Sequence, residues 1–189
     1  MSKSQTRRRW SAADLRKELD NGKRSPFYFL YGDEDFERDT TCTWLKEALA
    51  PTVAPEFNVD VFHGDTFVLE DFLKIYQSYP MMAPHRLVVL RGCEKFSIGT
   101  CKELESIVES PADTTLLIAV GGKVDKRRKF FEQLARKGRA VEFRVPYDNQ
   151  LPQWIQGYAS RQALRIDPDA ADLLRLYVGS NLRELAGEI

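Results

Sequence analysis

The stretch Gly32-Asp33-Glu34-Asp35-Phe36-Glu37-Arg38-Asp39 follows the apolar run "FYFLY" and precedes a segment with helical spacing. That is where a nucleotide-binding domain keeps its phosphate loop. A working loop, G-x-x-x-x-G-K-[ST], wraps backbone amides around the phosphates, reaches their outer oxygens with the lysine and holds magnesium with the hydroxyl. Aligned on Gly32, this chain carries Glu37 at the second glycine, Arg38 at the lysine and Asp39 at the hydroxyl. The acids at 33 to 35 complement the positive end of the following helix, which a phosphate would otherwise use. The metal-holding acids are missing too, because "RLVVL" is followed by Arg91 and Gly92. The residues therefore predict a scaffold: no ATP hydrolysis, no cofactor, no metal.

Other groups can be weighed the same way. Met81 and Met82 lie between Pro80 and Pro84, in a helix-to-strand connection that would normally be polar. Unbranched thioethers adapt to irregular pockets, so an exposed pair would suit a groove in a partner. The competing reading is that one or both fold under the sheet as core, as apolar residues mostly do. Lys123, Lys126, Arg127, Arg128 and Lys129 form the strongest local positive patch, a candidate contact for DNA backbone or a neighbouring subunit. Without interleaved aromatics for base stacking, a solvated helix start accounts for it better. His63 and His85 have no acidic or nucleophilic partner at recognisable spacing, and no catalytic role is expected for them.

Composition narrows the class. With 189 residues, 43% hydrophobic and 30% charged, the chain can bury a substantial core and form one domain with a smaller companion. The 28 basic and 28 acidic side chains cancel, so no global field draws it to nucleic acid or anionic lipid. The start "MSKSQTRRRW" is basic but lacks an apolar follow-on, and no run is long enough to span a bilayer, so a cytoplasmic protein with a floppy basic arm is expected. Cys42, Cys93 and Cys101 are odd in number with no CxxC pair, which argues for reduced, mostly buried thiols.

The elements that must position these residues alternate. "SAADLRKELD" reads as a helix capped by Ser11 and "FYFLYG" as a buried strand. A helix is predicted over 36–49, then a strand in "FNVDVFHGD". In the next helix Leu69, Phe72, Leu73 and Tyr76 share one face, and Pro80 stops it. "RLVVLRG", "TTLLIAV" and "AVEFRV" complete five strands, with helices in "CKELESIVES" and "KRRKFFEQLARK" between them. Continuous aliphatic strands separated by helices predict a doubly wound parallel α/β domain over 1–145, whose ligands would bind at the carboxyl ends of the strands. After "VPYDNQLP" three short helices follow over 146–189, the second capped by Asp167 with Pro168 in its first turn. A helical appendage on such a core is the AAA+ layout, and the last helix reads as cut short at Ile189.

The order "FYFLYGDEDFERD", "QSYPMMAPHRLVVLRGCEKF", "LESIVESPADTTLLIAV", "RRKFFEQLARKGRAVEFRVPYDNQLPQWI" and "GSNLRELAGEI" resembles the delta subunit of the bacterial DNA polymerase III clamp loader, from about Phe27 to Ile189. The resemblance implies an AAA+/RecA-like core without a working ATP site, a three-helix lid, and a C-terminal collar that is absent from this sequence. It implies a non-catalytic part of a DNA polymerase complex that grips the β sliding clamp and helps spring the ring open for loading onto primed DNA. Sister subunits would hydrolyse the ATP, and the implied partners in the loader are subunits of ATPase and delta-prime type. The implied clamp contact is Gln77-Ser78-Tyr79-Pro80-Met81-Met82, with the methionine pair standing where the family usually carries leucine and phenylalanine types. Gly179-Ser180-Asn181-Leu182-Arg183 is similar to the lid segment whose arginine senses phosphate in active relatives; here Arg183 is expected to cap or pair locally. The alternatives are a nucleotide-dependent kinase or NTPase with a degenerate loop, and a sister loader subunit or DNA-binding module.

Overall fold

Five runs of aliphatic and aromatic residues form the strands β1 (Phe27–Gly32), β2 (Val59–His63), β3 (Arg86–Arg91), β4 (Thr115–Gly121) and β5 (Arg139–Phe143) in the computed structural model, which describes residues 9–189. All pair in parallel, in the order β2-β3-β4-β1-β5. Parallel neighbours need crossovers, and the helices supply them. α1 (Ala12–Asp20), α2 (Asp35–Leu49), α3 (Pro55–Asn58), α4 (Leu69–Gln77), α5 (Ile98–Glu109) and α6 (Lys129–Lys137) lie between or before the strands.

Both faces of the sheet are covered, which is why the strands carry no polar alternation. Phe27 and Phe29 of β1 point to a core built with Phe72 and Tyr76 of α4, Leu104 and Val108 of α5, and Phe130, Phe131 and Leu134 of α6. Tyr28 and Leu30 point the other way, to Leu15 of α1 and Cys42, Leu45 and Leu49 of α2. The three cysteines are free and buried. Burial pushes their thiols up in pKa, so none is poised as a nucleophile.

Compact packing breaks after Phe143, and residues from Arg144 form a second unit. It contains α7 (Leu151–Arg161), α8 (Pro168–Val178) and α9 (Leu182–Gly187), with α7 packed on the other two. Leu151, Ile155, Ala159, Ala171, Leu182 and Leu185 are its buried residues. Asp167 occupies the N-cap position of α8, as read from the sequence, yet its side chain makes no capping hydrogen bond. Asn181 does cap α9, accepting from the amides of Arg183 and Glu184.

The element between α2 and β2 departs from expectation. "FNVDVFHGD" reads as a strand with Val59 and Val61 alternating before a glycine turn, and the strand does run from Val59 to His63, but Phe57 and Asn58 ahead of it belong to the one-turn helix α3. Pro55 sets the first turn of α3, and Ala54 before it adopts the left-handed conformation at φ 48°.

Candidate functional site

The turn after β1 closes on itself. Gly32 has φ 133°, and a Cβ there would stand 1.9 Å from the carbonyl oxygen of Phe143, so the glycine serves the approach of β5. Its amide donates to the Gly122 carbonyl at 3.1 Å. Glu34 is the N-cap of α2 and accepts from the amides of Phe36 at 3.0 Å and Glu37 at 2.7 Å. A side-chain carboxylate thus fills the anion position that a phosphate would take. Burial raises its pKa, and the two amide donors offset part of that rise.

The remaining positions of the degenerate site are spoken for. Arg38, at the lysine position, turns back to donate to the Gly32 carbonyl at 2.7 Å. Asp39, at the hydroxyl position, pairs at 3.4 Å with Arg91, the residue at the end of β3 where a metal-holding acid would stand. Arg91 also reaches the Cys42 sulfur at 3.4 Å. A carboxylate thus replaces the hydroxyl that would hold magnesium, and a cation stands where the site needs an acid. Among the described residues no cluster of His, Cys, Asp and Glu has the makings of a metal site.

The basic patch is largely neutralised. Lys126 pairs with Glu142 at 2.6 Å and Arg127 with Asp125 at 2.9 Å. Arg128 donates to the Phe96 carbonyl at 2.6 Å, fixing the approach to α6. Lys129 pairs with Glu105 and Glu109, which holds the Glu109 carboxyl below its ordinary pKa. His63 is exposed at the end of β2. His85 is buried, facing the Leu49 carbonyl through Nε2 at 2.7 Å and an Arg24 N–H through Nδ1 at 3.2 Å. Arginine can only donate and a carbonyl only accept, so the ring's proton sits on Nε2.

The turn after β1 lies at the carboxyl end of the parallel strands. The segment 78–84 leads into β3, at the other, amino end of the strands. Its upstream anchor is α4, whose Phe72 and Tyr76 are buried, and the Tyr76 carbonyl accepts from the Thr115 hydroxyl at 2.8 Å. The helix ends at Gln77, ahead of Pro80, and the Ser78 hydroxyl turns back to the Ile75 carbonyl at 2.8 Å. The downstream anchor is buried His85, followed by Arg86 paired with Asp60. Between the anchors the side chains face solvent: Tyr79 is 85% exposed, Met81 52% and Met82 84%. Neither methionine belongs to the core. Met82 is left-handed at φ 54°, a conformation uncommon outside glycine.

Sequence reasoning missed the residue that shapes this segment. Asn58 is fully buried; its Oδ1 accepts from the Met81 amide at 2.7 Å and its Nδ2 donates to the Met81 carbonyl at 2.8 Å and the Ala54 carbonyl at 2.9 Å. The signal was a lone asparagine in an apolar-periodic stretch, a residue type that bonds backbone in turns.

The five-stranded parallel order with a closed phosphate turn defines a doubly wound α/β domain of the AAA+/RecA type. A solved structure of Thermotoga maritima RuvB, a Holliday junction branch migration motor, superposes at a TM-score of 0.53 with 16% identity, covering 92% of this chain and 56% of that one. The Bacillus subtilis DNA clamp loader delta protein superposes at 0.76 with 24% identity, covering 94% of this chain and 56% of that one. The sequence of the Bacillus subtilis DNA polymerase III subunit delta is 26% identical over 187 residues, 93% of this chain. The sequence profile of the family described as "DNA polymerase III, delta subunit" matches residues 28–144, more than half of the chain. The chain belongs to the DNA polymerase III delta subunit family. It spans 54% of the length of that Bacillus subtilis relative.

Proposed function

We propose that this chain grips the β sliding clamp through residues 77–82 and helps open the ring for loading onto primed DNA, without hydrolysing ATP itself. The carrying observation is the pair Met81 and Met82, presented to solvent between two prolines on a segment anchored at both ends. Methionine and tyrosine suit an irregular apolar pocket, and exposed side chains of this size on a fixed backbone are typical of a binding surface. ATPase and delta-prime type subunits are its partners in the loader, which acts in the cytoplasm; no helix among the described residues is long and apolar enough to cross a membrane.

Opening the ring needs no fuel in this subunit. A plug that binds a ring with a distorted interface more tightly than a closed one shifts the ring toward the open state by that difference in affinity. The closed turn at Gly32, with Glu34 and Arg38 in the phosphate's place, supports a nucleotide-free role.

Titrating the clamp with the wild-type chain and with Met81→Asp/Met82→Asp tests the reading. Micromolar or tighter binding is expected, weakened by about 100-fold or more in the variant, as for loss of central anchor residues. Unchanged affinity in the variant removes the plug. No binding by the wild type favours the DNA-binding module, to which Lys126, Arg127 and Arg128 would then belong.

A further inference from the structure

We infer that the clamp-facing surface extends beyond residues 77–82 to the exposed side chains of Val53 and Phe57, and that Asn58 is the positioning residue holding both segments in one conformation. This rests on the function proposed above and adds a second segment to the contact.

Phe57, within the one-turn helix α3, is 55% exposed, and Val53, just before that helix, is 47% exposed. A partly bare phenylalanine on so short an element is not needed by the core. Its neighbour Asn58 carries the opposite burden. Fully buried, it spends both amide hydrogens and its oxygen on two backbones, tying Ala54 of its own segment to Met81 of the other. Phe57 and Met81 therefore stand on either side of one hydrogen-bonded clasp.

The clasp answers a local need. Pro80 and Pro84 have no N–H, so they cannot contribute donors to a hydrogen-bonded turn within the segment. Asn58 satisfies both polar groups of Met81, much as a neighbouring strand would. With Met81 held from one side and His85 from the other, Met82 keeps a left-handed conformation that a free loop would abandon. The occupant is the same clamp protein. Residues 78–84 carry no charge and residues 53–58 only Glu56, and Asn58 bonds the two segments to each other, so Val53 and Phe57 are offered beside the proposed plug.

The test measures association and dissociation of the 189-residue chain with the β clamp, for wild type, Phe57→Ser and Asn58→Ala. Phe57 is exposed, so Phe57→Ser should unfold at the wild-type temperature yet bind about 5- to 20-fold more weakly. Asn58→Ala should bind about 10-fold more weakly, chiefly through slower association, because only the fraction of molecules with an ordered segment is competent. In the wild type the Met81 amide should exchange slowly with solvent. If both variants keep wild-type affinity while Met81→Asp/Met82→Asp loses it, the proposed function stands and this inference falls. If the wild type does not bind the clamp, both fall. Should Asn58→Ala fail to fold, Phe57→Ser still decides the surface, and rapid exchange of the Met81 amide in the wild type overturns the clasp.

Discussion

At the scale of single residues, Glu34 decides what the turn after β1 is for. Its carboxylate takes two amides of α2 while lying nearly out of reach of water, and burial outweighs those donors, so its pKa rises above the ordinary 4.5. A raised folded-state value means that the folded chain holds this proton more tightly than the unfolded chain does. Glu34 therefore subtracts stability as pH rises from the ordinary value through the raised one. Carboxyl-carbon NMR should place its midpoint above 4.5, and wild-type stability should fall relative to Glu34→Gln across that window; a midpoint at or below 4.5 contradicts this. Glu34→Ala removes the cap altogether and should cost about 1 kcal/mol in denaturant unfolding. The loss of the lysine, the hydroxyl and the metal-holding acid at Arg38, Asp39 and Arg91 was readable from spacing alone, because a phosphate loop is defined by residue types at fixed offsets. The partners those residues chose were not, since Arg38 could have reached for solvent as easily as for the Gly32 carbonyl.

At the scale of elements, one edge of the sheet is protected by the chain's own N-terminal segment. The β5 edge is covered: Trp10 forms a parallel bridge to Val141, and Arg139 of β5 makes a forked pair with Glu18 of α1 at 2.6 and 2.7 Å while its guanidinium lies 4.5 Å from the Trp10 ring. Covering an edge removes a template for unwanted pairing. Glu18 is nearly buried, so Glu18→Gln leaves Arg139 with a weaker partner and should cost about 1–3 kcal/mol in a urea melt. A loss below about 0.5 kcal/mol would mean the pair behaves like an ordinary surface bridge. The strands and long helices were legible because two covered faces force continuous apolar runs, as in "FYFLYG" and "TTLLIAV". α3 was not legible: Phe57, Val59 and Val61 alternate like a strand, and only the backbone shows that Pro55 and left-handed Ala54 bend the first of them into a helical turn. Asn58 was missed for the same reason, its role being set by Met81, which lies 23 residues away in the sequence.

At the scale of the whole molecule, the self-closed turn makes a thermodynamic claim. A ligand that binds only the folded state raises its melting temperature, by about 2.7 kcal/mol of added stability at a hundred times its dissociation constant. Millimolar ATP with magnesium should leave the midpoint of this chain unchanged, and calorimetric titration should show no saturable heat at micromolar nucleotide. A concentration-dependent rise would reinstate the NTPase alternative. Glu34 and Arg38 carry a further consequence. Because they are covalent parts of the chain, they never dissociate, and on the proposed function the domain keeps one state where a working relative would have three: empty, loaded and spent. On the proposed function its hold on the ring is then a constant, the same at every point of its neighbours' cycle. On that reading, a grip that comes and goes would need residues 79–82 covered and uncovered from outside this domain.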